Sequence, residues 1–261
     1  MRRAIPAALI LLLSGAGLAA AQQANPFVWN GPLVAGQTLE IKGVNGSVRA
    51  EPASGTQAEV TAVKRARRSD PASVSVQVVM NPAGGVTICS VYPSTGGPQN
   101  DCQSGDSRQT VHDNDVMVDY TVKVPAGVRF IGRTVNGAVT ARSLQGDVEG
   151  RTVNGRVEIS TTGVASATTV NGAIDVSLGS PVWTEPLAFS TVNGSITLKV
   201  PPGIDAQIKA EMMNGSFSSD LPLAVQSSHN GGRRITGVIG NGGRELSLRT
   251  LNGSIHLEAA R

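Results

Sequence analysis

Among 261 residues, the side chains able to do chemistry are few and scattered. The three histidines, His112, His229 and His256, lie far apart, and none belongs to an H-E-x-x-H pattern that would set two imidazoles on one helix face for zinc. No G-x-S-x-G turn presents a serine and no Walker loop cradles a phosphate. Gly240-Asn241-Gly242-Gly243 lacks the strand and helix that such a loop needs, and reads as a corner. Carboxylates are the more serious candidates, because paired acids on a β-stack can cleave polysaccharide or hold calcium. Asp101, Asp106, Asp113 and Asp115 cluster in sequence, but at the spacing of no calcium loop. Glu158 and Asp175 occupy equivalent positions of neighbouring repeats, so they would lie side by side without an acid or nucleophile of defined role. These residues yield no catalytic residue, no metal ligand and no cofactor.

Two further groups carry binding or redox chemistry. Cys89 and Cys102 are 13 positions apart in a Pro/Gly/Ser-rich stretch, with no C-x-x-C spacing and no Cys/His cluster to suggest a metal. A disulfide is expected, worth about 3 kcal/mol through closure of that loop. Lys64, Arg65, Arg67 and Arg68 form a basic cluster that could touch an anionic envelope polymer or a lipid headgroup; a solvated strand end is the plainer reading. Trp183, in a Pro-bounded loop, is the best single aromatic for a contact, although such a residue more often packs over an edge. With only eight aromatics in the chain, stacking platforms for bases or sugars are sparse.

These residues sit on a chain read as exported. Arg2 and Arg3 precede the apolar run from Ala7 to Leu13, and Ala19, Ala20 and Ala21 offer a small-residue cleavage site before Gln22. Residues 1–21 are therefore expected to be a signal peptide, the apolar run being shorter than the about 20 residues of a membrane span. No later segment is apolar enough to anchor the mature chain, which is expected in the periplasm, on the outer cell surface or secreted, where a disulfide is stable. Without Arg2 and Arg3 the 22 basic residues fall to 20 against 19 acidic, a net charge near +1 that gives no reason to expect a nucleic-acid partner. Oligomeric state is not legible.

What positions the side chains is a repeat. The phrase Thr-Val-Asn-Gly-x-Val, in its commonest form, recurs seven times, with corners at Asn45-Gly46, Asn136-Gly137, Asn154-Gly155, Asn171-Gly172, Asn193-Gly194, Asn214-Gly215 and Asn252-Gly253. From Asn136 to Asn214 the steps are 18, 17, 22 and 21 residues, one coil of an all-β stack. The residue before each Asn is apolar, and so is the third residue after it, while the flanking positions vary among Arg, Thr, Glu, Asp, Ser and His. That pattern predicts two core columns, with Asn-Gly supplying the positive φ of a sharp corner.

Two architectures can use such corners. Asn-Gly between apolar runs is first a hairpin signal, which would give an antiparallel meander or sandwich. Half-steps of about nine residues, at Leu144-Gln145-Gly146-Asp147-Val148 and Thr162-Gly163-Val164, instead favour a parallel β-solenoid with two strands per coil. Stacking at the about 4.8 Å strand spacing would let the asparagine amides bond along a ladder. Residues 22–126, with longer period-2 runs and the cysteine-bearing insertion, are expected to cap or begin the stack. Residues 127–261 would form the regular solenoid, and 22–261 one continuous domain. Four Asn-Gly-Ser triplets match the glycosylation sequon, but as corners they need their side chains inside the stack.

Thr38-Leu39-Glu40-Ile41 leading to Val44-Asn45-Gly46, Asp119-Tyr120-Thr121-Val122-Lys123-Val124-Pro125-Ala126-Gly127, the successive Thr-Val-Asn-Gly coils, Gly237-Val238-Ile239-Gly240 and the closing Leu246-Ser247-Leu248 with Leu251-Asn252-Gly253-Ser254-Ile255 together resemble the exported bacterial adhesin repeat family, a domain of unknown function. The resemblance implies a β-solenoid-like exported domain without defined ligand or catalytic residues; the Cys89 to Cys102 insertion departs from its pattern. The expected function is a non-catalytic, adhesin-like protein presenting a repetitive β surface to an envelope or cell-surface macromolecule, polysaccharide or protein. The alternatives are a polysaccharide-modifying β-helix enzyme and a periplasmic envelope scaffold or stress component.

Overall fold

Each Asn-Gly corner joins two short strands, and the pairs stack in parallel to make a β-solenoid. A computed structural model describes residues 22–260 apart from residues 24, 83, 95–96, 107–108, 224–225 and 230–232; the expected signal segment lies outside the described residues, as does the His229 side chain. Strands entering a corner form a leading sheet and strands leaving it form a trailing sheet, each of 11 strands among the described residues. In the middle of the leading sheet Arg129–Arg133, Val148–Arg151, Ala165–Thr168 and Leu187–Ser190 run parallel. Opposite them in the trailing sheet run Val139–Leu144, Val157–Thr161, Ile174–Ser177 and Ile196–Val200.

The core lies between the sheets and follows from period-2 alternation. Val157, Ile174, Ile196 and Ile255 pair in register in successive coils and are buried, as are Phe130 and Phe189 from the leading side. This is the column expected three residues after each Asn. Among the described residues the one helical piece is a 3-10 turn, Pro71–Ser73, and no helix is long and apolar enough to cross a membrane.

Spatial order departs from chain order at both ends. The last coil, Arg244–Asn252 with Ile255–Ala259, lies between the coil of Leu187–Ser190 and that of Ala206–Asn214 with Phe217–Ser219. At the other end Thr38–Lys42 and Val48–Pro52 lie inside the coil formed by Gly85–Val91 and Met117–Val124. Residues expected as an N-terminal cap thus also build two coils. Antiparallel strands finish the ends: Ser75–Met80 on the leading sheet, Gln57–Ala66 and Phe27–Pro32 on the trailing sheet, and Arg233–Ile239 at the far end.

Candidate functional site

The corners line up into a ridge along one edge of the stack. Its asparagines follow the spatial order Asn45, Asn136, Asn154, Asn171, Asn193, Asn252, Asn214, and each amide Nδ2 donates to the Oδ1 of the neighbour nearer Asn45 at 2.7 to 2.9 Å. At about 4.8 Å per coil the ladder runs about 29 Å. Each amide keeps one N–H and one oxygen lone pair for other partners. At the Asn45 end lies the buried Tyr92. Its hydroxyl donates to the Val116 carbonyl at 2.7 Å. Burial pushes its pKa up to about 12, opposed by hydrogen bonds from the Asn45 backbone and side chain.

Corner conformation differs from the sequence expectation in two respects. No ladder asparagine takes a left-handed φ; among described non-glycine residues only Asp113 and Ser143 do. Gly46, Gly215 and Gly253 take the expected positive φ, but Gly137, Gly155, Gly172 and Gly194 do not. These glycines are required for space: a Cβ on Gly155 would lie 2.0 Å from the carbonyl oxygen of Gly137 in the next coil, with the same clash repeated at Gly137, Gly172 and Gly194. That oxygen also accepts from Thr152 Oγ1 at 2.8 Å, and Thr134, Thr169, Thr191 and Thr250 make the equivalent bond at 2.9 Å.

The second difference concerns the apolar residue before Asn. It is not core. Val135, Val153, Val170, Val192, Leu251 and Met213 are between 36% and 58% exposed, and only Val44 is half-buried against the core. Thr faces in to cap a backbone carbonyl, so its neighbour must face out, and alternation does the rest. Sequence reasoning missed the threonines, although Thr stands two before Asn in five copies and is replaced only at Gly43 and Met212, in the copies with the first and last asparagines of the ladder.

A second constellation lies where the insertion loop crosses the outer face of the leading sheet. Cys89 and Cys102 are joined in a disulfide with a Cα separation of 5.6 Å. The pinned loop covers Glu40 and Lys42, which are buried. Lys42 Nζ donates to the carbonyls of Gln103 at 2.8 Å and Gly105 at 2.7 Å, while Glu40 Oε2 accepts from Gly105 N–H at 3.1 Å and Thr87 Oγ1 at 2.9 Å. Burial lowers the Lys42 pKa, with Glu40 opposing. Arg133 contacts Glu40 at 3.1 Å without an aligned hydrogen bond, and Glu149 at 3.2 Å. Arg151 contacts Glu149 at 2.7 Å and Asp106 at 3.2 Å, and Arg133 also binds Asp106. The hydrogen bond from Arg133, with the charges of both arginines, holds the Asp106 carboxyl below its usual range.

The remaining sequence candidates disperse. Lys64 donates to the Val74 carbonyl at 2.9 Å and Arg65 pairs with Asp119, whereas Arg67 and Arg68 bond Asp115 through backbone N–H groups and keep their side chains exposed, the Arg68 guanidinium 3.8 Å from Asp115. Trp183 is 8% exposed and part of the core, which removes its ring from any stacking role. Asp101, Asp106, Asp113 and Asp115 do not converge; among the described residues no group of three or more metal-ligating side chains does. Glu158 and Asp175 are adjacent in register, but each pairs with an arginine, Arg142 at 2.9 Å and Arg156 at 2.6 Å. The Arg142 hydrogen bond lowers the Glu158 pKa, the wrong direction for a general acid. His256 lies in an outward column, bonded to Ser218 at 2.8 Å.

Residues 133–258 match the family model described as Toastrack DUF4097. Among solved structures, a "putative cell adhesion protein" from Clostridium sporogenes is 12% identical, with 90% of this chain and 100% of that one covered and a TM-score of 0.41. A "putative adhesin" from Bacteroides fragilis is 9% identical, with 90% and 97% covered and a TM-score of 0.34. No curated protein matches. The matched residues carry six of the seven corner asparagines, so the chain is similar to the Toastrack DUF4097 family over that stretch.

Proposed function

We propose that this chain is an exported, non-catalytic, adhesin-like protein whose corner ridge binds an extended macromolecule of the cell envelope or cell surface. The observation that carries this reading is the inversion at the corners, with threonine buried and valine exposed in coil after coil. A contiguous apolar column beside an amide ladder with spare donors and acceptors offers a linear partner the same pair of contacts at every coil. Isolated exposed valines would need no explanation; a row of them is an interaction surface. Disulfide closure of the insertion loop suits an oxidising compartment outside the cytoplasm. The polysaccharide-cleaving alternative has less behind it, since its best carboxylates are each neutralised by an arginine.

The test compares the mature protein with Val153→Asp/Val192→Asp, two ridge positions whose exposure lets them accept charge without unfolding. Binding to isolated cell envelopes and to whole cells is measured by co-sedimentation. The reading expects binding by the parent and its loss in the variant at unchanged melting temperature; equal binding by both would refute it. Release of reducing ends from envelope polysaccharide by the parent would favour the enzyme instead.

A further inference from the structure

We propose that Arg133 and Arg151 form a carboxylate-binding site for acidic sugars, occupied in the free protein by Asp106 as an internal ligand. The inference rests on the polymer-binding reading and names the chemistry by which such a polymer would be held. Arg133 and Arg151 are partners in register on adjacent strands, so their guanidinium groups project side by side. Each is oriented from beneath by a carboxylate almost out of solvent. Glu149 Oε1 contacts Arg133 Nη2 at 3.2 Å and Arg151 Nε at 2.7 Å, and Glu40 contacts Arg133 Nε at 3.1 Å. What remains for an outside partner is Nη1 of Arg133 with Nη1 and Nη2 of Arg151, and the two Nη1 atoms converge on a single oxygen, Oδ1 of Asp106. Fixed, converging guanidinium donors are the arrangement that recognises a carboxylate.

Asp106 differs in kind from the two carboxylates below. Its side chain is 77% exposed against 2% for Glu40 and 10% for Glu149. It comes from the insertion loop instead of the stack, so it can leave without stranding a buried charge. Exchange for a ligand carboxylate replaces one negative charge by one, which keeps the balance of the cluster; a phosphate dianion would not. Beside the pair is an open depression of ≈ 500 Å³ bordered by Lys42, Gly43, Gly105, Thr134 and Val135. Val135 belongs to the exposed column of the ridge, so a chain lying along the ridge passes over the arginine pair.

The probe is a galacturonate oligomer, with a neutral galactose oligomer of equal length and inorganic phosphate as comparisons, titrated by calorimetry into the mature protein. If Asp106 fills the site about 90% of the time, Asp106→Ala binds galacturonate about tenfold more tightly than the parent. Adding Arg151→Gln to that variant removes the gain; Arg133 is left intact because its loss would strand Glu40. No gain from Asp106→Ala, a gain that survives Arg151→Gln with the fold intact by circular dichroism, or equal binding of neutral sugar or phosphate would each overturn the proposal. Monomeric galacturonate distinguishes this site from the ridge, since Val192→Asp alone, two coils along the ladder from Arg151, must leave its binding unchanged. Galacturonate binding together with envelope binding that survives the ridge substitutions would sink the ridge reading alone. Envelope binding lost on those substitutions, with no galacturonate binding, would sink only the arginine site.

Discussion

Alanine substitution at three glycines separates the two reasons a chain needs glycine. At Gly155 the obstacle is space, a Cβ 2.0 Å from the Gly137 carbonyl oxygen, in a backbone that is not left-handed. At Gly36 the space is open and the obstacle is a φ of 86°. At Gly55 neither applies. Bringing the Gly155 contact to about 3 Å requires the coils to part by about 1 Å, and that distance breaks what joins them at the corner. The bonds at stake are Gly137 N–H to Asn154 O at 3.0 Å, Asn154 N–H to Val135 O at 2.7 Å, Thr152 Oγ1 to Gly137 O at 2.8 Å and the Asn154 to Asn136 amide bond at 2.8 Å. At about 1 kcal/mol each, Gly155→Ala costs about 3 to 4 kcal/mol. Gly36→Ala costs about 1 to 2 kcal/mol through its left-handed backbone, and Gly55→Ala stays within about 0.5 kcal/mol of the parent. Urea denaturation monitored by circular dichroism measures all three. A Gly155→Ala variant no less stable than Gly36→Ala would refute the argument that coil approach, not corner conformation, selects the glycine.

Thr169→Val keeps shape but leaves the Gly155 carbonyl without its 2.9 Å side-chain bond, and is expected to cost about 1 to 2 kcal/mol in the same assay, with Thr169→Ser costing less. Replacing both cysteines by serine should remove about 3 kcal/mol of stability and make the insertion loop cleavable by the broad-specificity protease proteinase K, neither of which a slack loop would show. Hydrogen bonds from the backbone and side chain of Ser69 lower the Asp115 pKa to about 2, so its contribution is complete above the unfolded value of about 4 and is lost as pH falls through about 2. The stability gap between parent and Asp115→Asn should therefore close across that window; a gap independent of pH counts against it. Removing residues 244–261 withdraws a coil from inside the stack, so cooperative unfolding should vanish instead of shifting as it would on loss of an end repeat.

The parallel stack and the column of Val157, Ile174, Ile196 and Ile255 were legible because period-2 burial and a fixed step are local properties of the chain. The asparagine ladder was legible for the same reason. Stack order at the ends was not: nothing local to Leu251-Asn252-Gly253 states that it inserts between Asn193 and Asn214, a choice made by pairing with Asn193 across 59 residues. Positive φ holds at Gly46, Gly215 and Gly253, but Gly137, Gly155, Gly172 and Gly194 were assigned the right type for the wrong cause, since sequence shows that Gly is present but not whether φ or a neighbouring carbonyl demands it. The arginine cluster was invisible because Glu40, Asp106, Arg133 and Glu149 come from separate coils and a loop held over them by the disulfide and by bonds to Lys42 and Glu40.

Stacking explains most of the repeat and leaves one residue over. Thr is required inside because its hydroxyl caps the Gly carbonyl, Gly because no Cβ fits, and Asn because its amide bonds up and down the ladder. The exposed valine satisfies none of these needs. Its β-branched side chain favours extended backbone, but threonine has the same preference and would present a hydroxyl to water. The chain does the reverse, burying the threonine and exposing its apolar isostere at Thr134 and Val135, Thr152 and Val153, Thr191 and Val192. Inward carbonyl capping accounts for the first half of that inversion. The second half gains nothing from the folded monomer, and an apolar column retained against water is accounted for by a surface that covers it.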